Sequence, residues 1–200
     1  MSKHFSHLCL LMPLILISFE GFCESSCIPQ DKDCLFYVNC LEKSQSCGSK
    51  GYALSYGLPY CQKFKEEVRF SEKAQVWRDR VLICLQQSLV KFMDKNHPQS
   101  SCSDIKQQAF KSHVACYTQS PHSICDFHRS PDDIQVLLTT IKMSDLLSEE
   151  GSEQVKAVAK TCIKQLAGQK SRLPEAVILR SQKFWQEVID SSLYNSKVCY

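Results

Sequence analysis

The segment Phe70–Leu89, which reads FSEKAQVWRDRVLICLQQSL, decides the fold class. Its apolar and small residues recur at three- and four-residue steps, while Arg78 and Gln86 fall on other faces of a helical projection. The stripe continues a few residues further and consists of Trp77, Val81, Cys84, Leu85, Ser88, Leu89 and Phe92. Asn96-His97-Pro98 is typical of a helix stop. This pattern predicts a long amphipathic helix with one buried face.

Four further segments downstream have helical periodicity and recognisable starts. They are expected to begin at Ser103 or Asp104, at Ser130 with Pro131, near Ser152, and at Pro174. In the helix after Pro131 the expected buried face consists of Ile134, Leu137, Leu138 and Ile141. The helix from about Ser152 is expected to stop at Gly168. Because no strand-like alternation of any length competes with these patterns, the predicted fold class is all-α.

The stretch from Cys27 to Cys61 has a different character, with a cysteine every six to fourteen residues and several glycines between them. Only Cys34–Leu41 has helical spacing, and it is long enough for two turns at most. We therefore expect a compact, turn-rich, cysteine knot-like amino-terminal segment that needs its disulfides. Together with the helices that follow, this segment predicts one disulfide-rich helical domain over residues 24–200.

The first 23 residues are typical of a secretory signal peptide. A basic start at Lys3 precedes an apolar run from Leu8 to Ile17, and a polar stretch of small residues follows. The apolar run falls short of the ~20 residues that a bilayer-spanning helix needs, although a signal anchor is the alternative. Gly21 and Cys23 suit signal peptidase, so cleavage is expected after Cys23. The sequence therefore predicts a secreted, extracellular protein.

The cysteine count carries a prediction about quaternary structure. The chain has 13 cysteines, and removal of Cys9 and Cys23 with the signal peptide leaves eleven. An odd number in an oxidising compartment implies a free thiol or a bond to a second chain. Cys199, one residue from the end of the sequence, is expected to join two copies of the chain. Cleavage before Cys23 would leave twelve cysteines and weaken this expectation.

Three cysteine-bearing stretches resemble the stanniocalcin family of secreted hormones. The first is Cys34-x-Phe-x-x-x-Cys-Leu-Glu-x-Ser-x-x-Cys47, with Gly51-Tyr52 and Cys61-Gln-Lys-Phe64 after it. The second is Phe70-Ser-x-x-Ala-x-x-Trp-x-x-x-Val-x-x-Cys-Leu85. The third contains Cys102-Ser103, then Val114, Cys116, Tyr117 and Cys125. The order and spacing of the eleven cysteines, from Cys27 to Cys199, carry the resemblance across nearly the whole mature chain.

The resemblance implies a disulfide pairing. It would join Cys27 to Cys40, Cys34 to Cys61, Cys47 to Cys102, Cys84 to Cys116, and Cys125 to Cys162, leaving Cys199 for the partner chain. It also implies a hormonal or paracrine role in calcium and phosphate homeostasis, through a receptor or another extracellular protein. Family members also inhibit pappalysin metalloproteases. Unlike typical members of the family, this sequence contains no Asn-x-Ser/Thr site, so N-glycosylation is not expected.

Other functional classes have weaker support in the sequence. The formal net charge of +3 is small and scattered, so no nucleic-acid partner is expected. His113, Cys116, His122, Cys125 and His128 could be drawn as a zinc site, but in a secreted protein such cysteines are more often half-cystines. Nucleophile, metalloprotease, phosphate-loop and secreted phospholipase motifs are missing, so no enzyme activity, metal or cofactor is predicted. The alternative is a saposin-like lipid-binding module.

Overall fold

The structure, a computed structural model, describes residues 27–93, 100–119, 121–168 and 174–197. Within these ranges every regular element is a helix and there is no β-strand, so the predicted all-α, disulfide-rich fold class is confirmed. None of the described helices is both long and apolar enough to cross a bilayer. The predicted signal peptide, residues 1–23, and Cys199 lie outside the described residues.

Eight α-helices follow one another within the described ranges. They are α1 (Lys43–Gln45), α2 (Leu58–Glu66), α3 (Glu72–Gln87), α4 (Cys102–Thr118), α5 (Pro131–Thr140), α6 (Met143–Leu146), α7 (Glu149–Ala167) and α8 (Glu175–Lys197). Two π-helical segments, Tyr37–Glu42 and Ala53–Gly57, run directly into α1 and α2. Two 3₁₀ segments, Val90–Met93 and Ile124–Arg129, lie after α3 and α4. The most extensive helix packing is between α7 and α8, followed by α4 with α7.

The amino-terminal segment is richer in helix than its glycines predicted. Helices this short are unstable alone, so their stability comes from tertiary packing and cross-links. Gly57 shows how tight that packing is, because a Cβ at this position would lie 2.5 Å from the Tyr37 ring. The glycine therefore provides close approach for an aromatic side chain rather than a turn.

Two hydrophobic cores share α3. The amino-terminal core consists of Cys34, Phe36, Tyr37, Cys40, Leu41, Tyr52, Ala53, Cys61, Leu82, Leu89, Phe92, Ile105 and Ala109. The main core consists of Phe70, Ala74, Trp77, Val81, Leu85, Cys116, Ile124, Cys125, Phe127, Val136, Leu137, Val158, Ala159, Cys162, Leu166, Trp185 and Ile189. Helix α3 thus supplies Leu82 to the amino-terminal core and Trp77, Val81 and Leu85 to the main core, and Leu89, just past its end, also packs in the amino-terminal core.

This double burial corrects the expectation of a single buried face on α3. Arg78 is only 5% exposed and Gln86 only 1%, although both fall outside the predicted apolar stripe. The Arg78 side chain donates to the carboxylate of Asp79 and to the main-chain carbonyl of Glu67, over 2.7 Å in each case. The amino-terminal segment covers this face. The Nε2 group of Gln86 donates to the main-chain carbonyl of Asp33, whereas its Oε1 atom is buried without a hydrogen-bond partner.

Three helix details also differ from prediction. Helix α4 is capped by Ser101, which forms a capping box with Asp104, rather than by Ser103 or Asp104. Helix α7 starts at Glu149, capped by Ser148, three residues before the predicted Ser152. Leu138 in α5 is 48% exposed, whereas Asp133 is buried and accepts hydrogen bonds from Ser71. The buried face of α5 therefore includes Asp133, Val136, Leu137 and Thr140, and Leu138 lies outside it.

Candidate functional site: the disulfide frame and a tyrosine-lined cavity

Ten of the predicted site residues form five disulfide bonds. The bonds are Cys27–Cys40, Cys34–Cys61, Cys47–Cys102, Cys84–Cys116 and Cys125–Cys162. Their Cα–Cα distances run from 4.9 to 5.7 Å, within the range that a disulfide requires. These are the same five pairs that the resemblance to stanniocalcins implies. The eleventh predicted residue, Cys199, lies outside the described part of the chain.

The bonds connect successive parts of the fold. Two of them close the amino-terminal segment on itself. Cys47–Cys102 joins that segment to the start of α4, and Cys84–Cys116 joins α3 to α4. Cys125–Cys162 joins the second 3₁₀ segment to α7. Every described element from the amino-terminal segment to α7 therefore lies between cross-linked points, and α8 is held to this frame by packing on α7.

Of the five residues considered as zinc ligands, four have other roles in the structure and His122 is exposed. Cys116 and Cys125 are half-cystines. His128 places its Nδ1 atom 2.7 Å from the main-chain carbonyl of Cys125, and His113 is buried among aromatic rings. Among the described residues there is no cluster of three or more His, Cys, Asp or Glu side chains that could hold a metal ion.

Aromatic side chains from two helical segments interleave where the two cores meet. Tyr52, Tyr56 and Tyr60 stack along the second π-helical segment and α2, with ring centroids 5.7 and 4.5 Å apart. From α4, the Phe110 ring lies 5.0 Å from Tyr56, and His113 lies between Phe110 and Tyr117 at 5.5 and 5.3 Å. Such edge and offset contacts add stability beyond the buried area.

A cavity of about 50 Å³ lies within this aromatic region. Two of its lining atoms, Nδ1 of His113 and Oε1 of Gln154, are buried without a hydrogen-bond partner. A buried water needs roughly 15 Å³ and two or more polar partners, so the cavity has room for about three waters or a very small polar ligand. Tyr60 lines one side, where its hydroxyl donates to Asp145 and accepts the Lys142 N–H over 3.1 Å.

Burial keeps His113 and the tyrosines of this region neutral. Desolvation lowers the pKa of His113 to about 4, so the imidazole is uncharged at physiological pH. Desolvation, with the hydrogen bond to Asp145 acting in the same direction, raises the pKa of Tyr60 to about 12. Burial likewise raises the pKa of Tyr56 and Tyr117. His113 and the tyrosines therefore present neutral donors and acceptors to the cavity, whose lining also includes Arg78 and Asp145.

Sequence reasoning missed this aromatic region, although a signal for it was present. Tyr52, Tyr56 and Tyr60 are four residues apart, and Phe110, His113 and Tyr117 are three and four apart. Both sets place rings on one face of a helix. The first set was overlooked because Gly51, Gly57 and Pro59 made the stretch resemble turns. His113 is buried on its helix, and its Nδ1 atom has no hydrogen-bond partner.

Comparison of the chain with family models, curated proteins and solved structures finds no match in any of the three. The likeness to stanniocalcins is therefore a resemblance in the cysteine register, the quoted motifs and the disulfide pairing.

Proposed function

We propose that this protein is a secreted, stanniocalcin-like signalling protein that acts by binding a receptor or another extracellular protein. The disulfide frame is the observation that carries the proposal. Ten cysteines can pair in roughly nine hundred ways, and the five bonds present are those of the stanniocalcin order. A frame with this many cross-links also suits an extracellular environment, where disulfides persist.

The proposal includes a homodimer joined through Cys199, because ten cysteines are paired within the chain and an eleventh remains after cleavage at Cys23. A non-reducing gel of the secreted protein should show twice the reduced mass. Cys199→Ser should give a monomer that is otherwise secreted normally. A wild-type monomer under non-reducing conditions would rule out the covalent dimer, while leaving the binding role to be tested separately.

The proposed setting is hormonal or paracrine control of calcium and phosphate transport, with inhibition of a pappalysin-type metalloprotease as a related activity. The test adds the purified secreted protein to an epithelial cell monolayer and measures uptake of radiolabelled calcium and phosphate. Protein that has been reduced and alkylated is the control, because it lacks the disulfide frame. A dose-dependent change with the native protein alone supports the proposal, and no change over the whole dose range contradicts it.

A parallel assay measures pappalysin cleavage of its protein substrate with and without the native protein. Slower cleavage with the native protein, but not with the reduced and alkylated control, would identify the protease as the partner. If neither transport nor cleavage changes, the stanniocalcin-like function is wrong.

The sizes of two cavities argue against the saposin-like alternative. A pocket for a small organic ligand is usually about 300–1,000 Å³. A cavity beside α3 and α4, with Arg80, Gln87 and His122 in its lining, has about 240 Å³, and the tyrosine-lined cavity has about 50 Å³. This space could not hold an acyl chain without rearrangement of both cores. Extraction of natively secreted protein followed by mass spectrometry should therefore recover no stoichiometric lipid, and a bound lipid at one per chain would favour the alternative.

A further inference from the structure

We propose that Cys47–Cys102 is a site of thiol–disulfide exchange, which an extracellular dithiol opens while the other four described disulfides stay closed. The bond differs from the others in its surroundings, in the position of one of its cysteines and in the part of the fold that it holds. The inference concerns the chain's own chemistry and does not depend on the proposed hormonal role.

Exposure singles out this bond. Cys102 is exposed and Cys47 is half-buried. In each of the other four bonds at least one cysteine is almost inaccessible, the more buried partner being Cys40 at 7%, Cys61 at 2%, Cys116 at 6% and Cys162 at 0% exposed. An attacking thiolate must approach a sulfur roughly along the S–S axis, so access decides which bond reacts first. Of the five described bonds, only Cys47–Cys102 has neither cysteine buried.

The position of Cys102 favours its departure as a thiolate. It is the first residue of α4, directly after the capping residue Ser101. The free N–H groups and the dipole at a helix start stabilise a nearby negative charge and lower the pKa of a cysteine there. The neighbouring carboxylate of Asp104 is engaged in hydrogen bonds with Ser101, at 2.8 and 2.9 Å. A thiol with a lower pKa is the faster leaving group in exchange.

The exchange has two balanced steps. A thiolate of the dithiol attacks Sγ of Cys47, forms a mixed disulfide with it, and displaces Cys102 as a thiolate that then takes up a proton. The second thiol of the reagent, as its thiolate, then attacks the reagent sulfur that is bonded to Cys47 in the mixed disulfide. This step displaces Cys47 as a thiolate, which is protonated in turn. Two electrons pass from the dithiol to the protein disulfide, and the reagent leaves as its cyclic disulfide.

Opening this bond would loosen a defined piece of the fold. The bond spans 55 residues, the largest separation among the five. When the disulfide is open, the hydrogen bond from the Gln45 side chain to the carbonyl of Phe92 still holds the end of α1. The N–H group of Gly48 donates a hydrogen bond to Glu42, which belongs to the same segment. The two bonds inside the amino-terminal segment remain, so exchange would release the turn after α1 from α4 without unfolding that segment.

Differential alkylation of the full-length secreted protein tests the proposal. The protein is exposed to increasing dithiothreitol, free thiols are trapped with one alkylating reagent, and the remaining cysteines are reduced and labelled with a second. Peptide mass spectrometry then gives an opening rate for each disulfide. Cys47 and Cys102 should open together and at least ten times faster than the other four bonds described, at reagent concentrations where circular dichroism is unchanged.

A double variant, Cys47→Ser with Cys102→Ser, provides the control. It should show no labelling of the remaining eight paired cysteines under the conditions that open the bond in the wild-type protein. The proposal is overturned if another described pair opens first in the wild-type protein, or if all five open together with loss of helical signal. Because the wild-type rates alone decide between these outcomes, poor folding of the double variant would leave the test intact.

Discussion

The side-chain amide of Gln86, inside α3, donates a hydrogen bond to the main-chain carbonyl of Asp33 over 2.8 Å. This contact anchors the amino-terminal segment on the face of α3 that its sequence pattern marks as polar. Near it, Lys32 and Asp79 form a more exposed ion pair at 3.5 Å, which at such exposure contributes little. Buried packing and the hydrogen bond of Gln86 therefore dominate the attachment.

Gln86→Ala should destabilise the protein by about 2 kcal/mol, because it removes a buried side chain and leaves a carbonyl without its partner. The neighbouring residue Gln87 is exposed, so Gln87→Ala is the matched control and should change little. Chemical denaturation followed by circular dichroism measures both. Equal midpoints for the two variants would show that the Gln86 contact contributes nothing to stability.

Asp133 joins the starts of α3 and α5, since its carboxylate accepts the Ser71 N–H at 2.8 Å and the Ser71 hydroxyl at 2.7 Å. Asp133→Asn should cost about 2–3 kcal/mol through loss of charge-assisted hydrogen bonds. Asp132→Asn, at the exposed neighbouring position, is the control and should have a small effect. Thermal melts of the two variants test this, and matching melting temperatures would contradict it.

The same carboxylate predicts a contribution to acid sensitivity. Burial opposes ionisation of Asp133, but the hydrogen bonds from Ser130 and Ser71 outweigh it and lower the pKa of the carboxyl group below its ordinary value. A group whose pKa is lower in the folded than in the unfolded protein stabilises the fold at pH values above its unfolded-state pKa, here near 4. This stabilisation is lost as the pH falls through its folded-state pKa. Asp133→Asn should therefore reduce the loss of stability below pH 4. If the stability of Asp133→Asn falls as steeply below pH 4 as that of the wild-type protein, Asp133 does not cause this acid sensitivity.

His113 predicts a second pH effect, at higher pH. Its pKa is about 4 in the folded protein because of burial, against about 6.5 in an unfolded chain. As the pH falls, His113 is therefore protonated in the unfolded chain before it is protonated in the folded protein. The free energy of unfolding should decrease by about 2 kcal/mol between pH 7.5 and pH 5. His113→Phe should remove this slope, whereas His122→Phe, at an exposed position, should keep it. Denaturation midpoints across that range decide the matter, and a slope retained in His113→Phe would refute the prediction.

Gly57→Ala should destabilise the protein by about 1–3 kcal/mol, because the added methyl group would overlap the Tyr37 ring. Gly168→Ala is the matched control: its Cβ would have no contact closer than 3.5 Å and its backbone is right-handed helical, so a neutral or slightly stabilising effect is expected. Denaturation midpoints compare the pair. A neutral Gly57→Ala would show that the Tyr37 ring shifts at no cost.

Local signals account for the part of the fold that was predicted correctly. The periodicity of α3 and the start of α5 at Pro131 depend on residues only a few positions apart, so they can be recognised in the sequence. The predicted starts of α4 and α7 lay a few residues after the observed caps, Ser101 and Ser148, because several neighbouring residues could cap each helix. Before α3, the short helix predicted within Cys34–Leu41 overlaps the π-helical segment Tyr37–Glu42. The second π-helical segment and α2 were missed because contacts made far along the chain stabilise them.

By itself, the sequence determined that this protein is helical and that its cysteines are too many for an ordinary reducing compartment. Only the tertiary structure decided that α3 is buried on two faces and that Arg78 and Gln86 are inside. It also decided that residues of several helices, with His113 among them, line one cavity. Helical periodicity records which side of a segment is apolar, but burial depends on what packs against each side. The amino-terminal segment, linked by Cys47–Cys102 to α4, supplies that second surface.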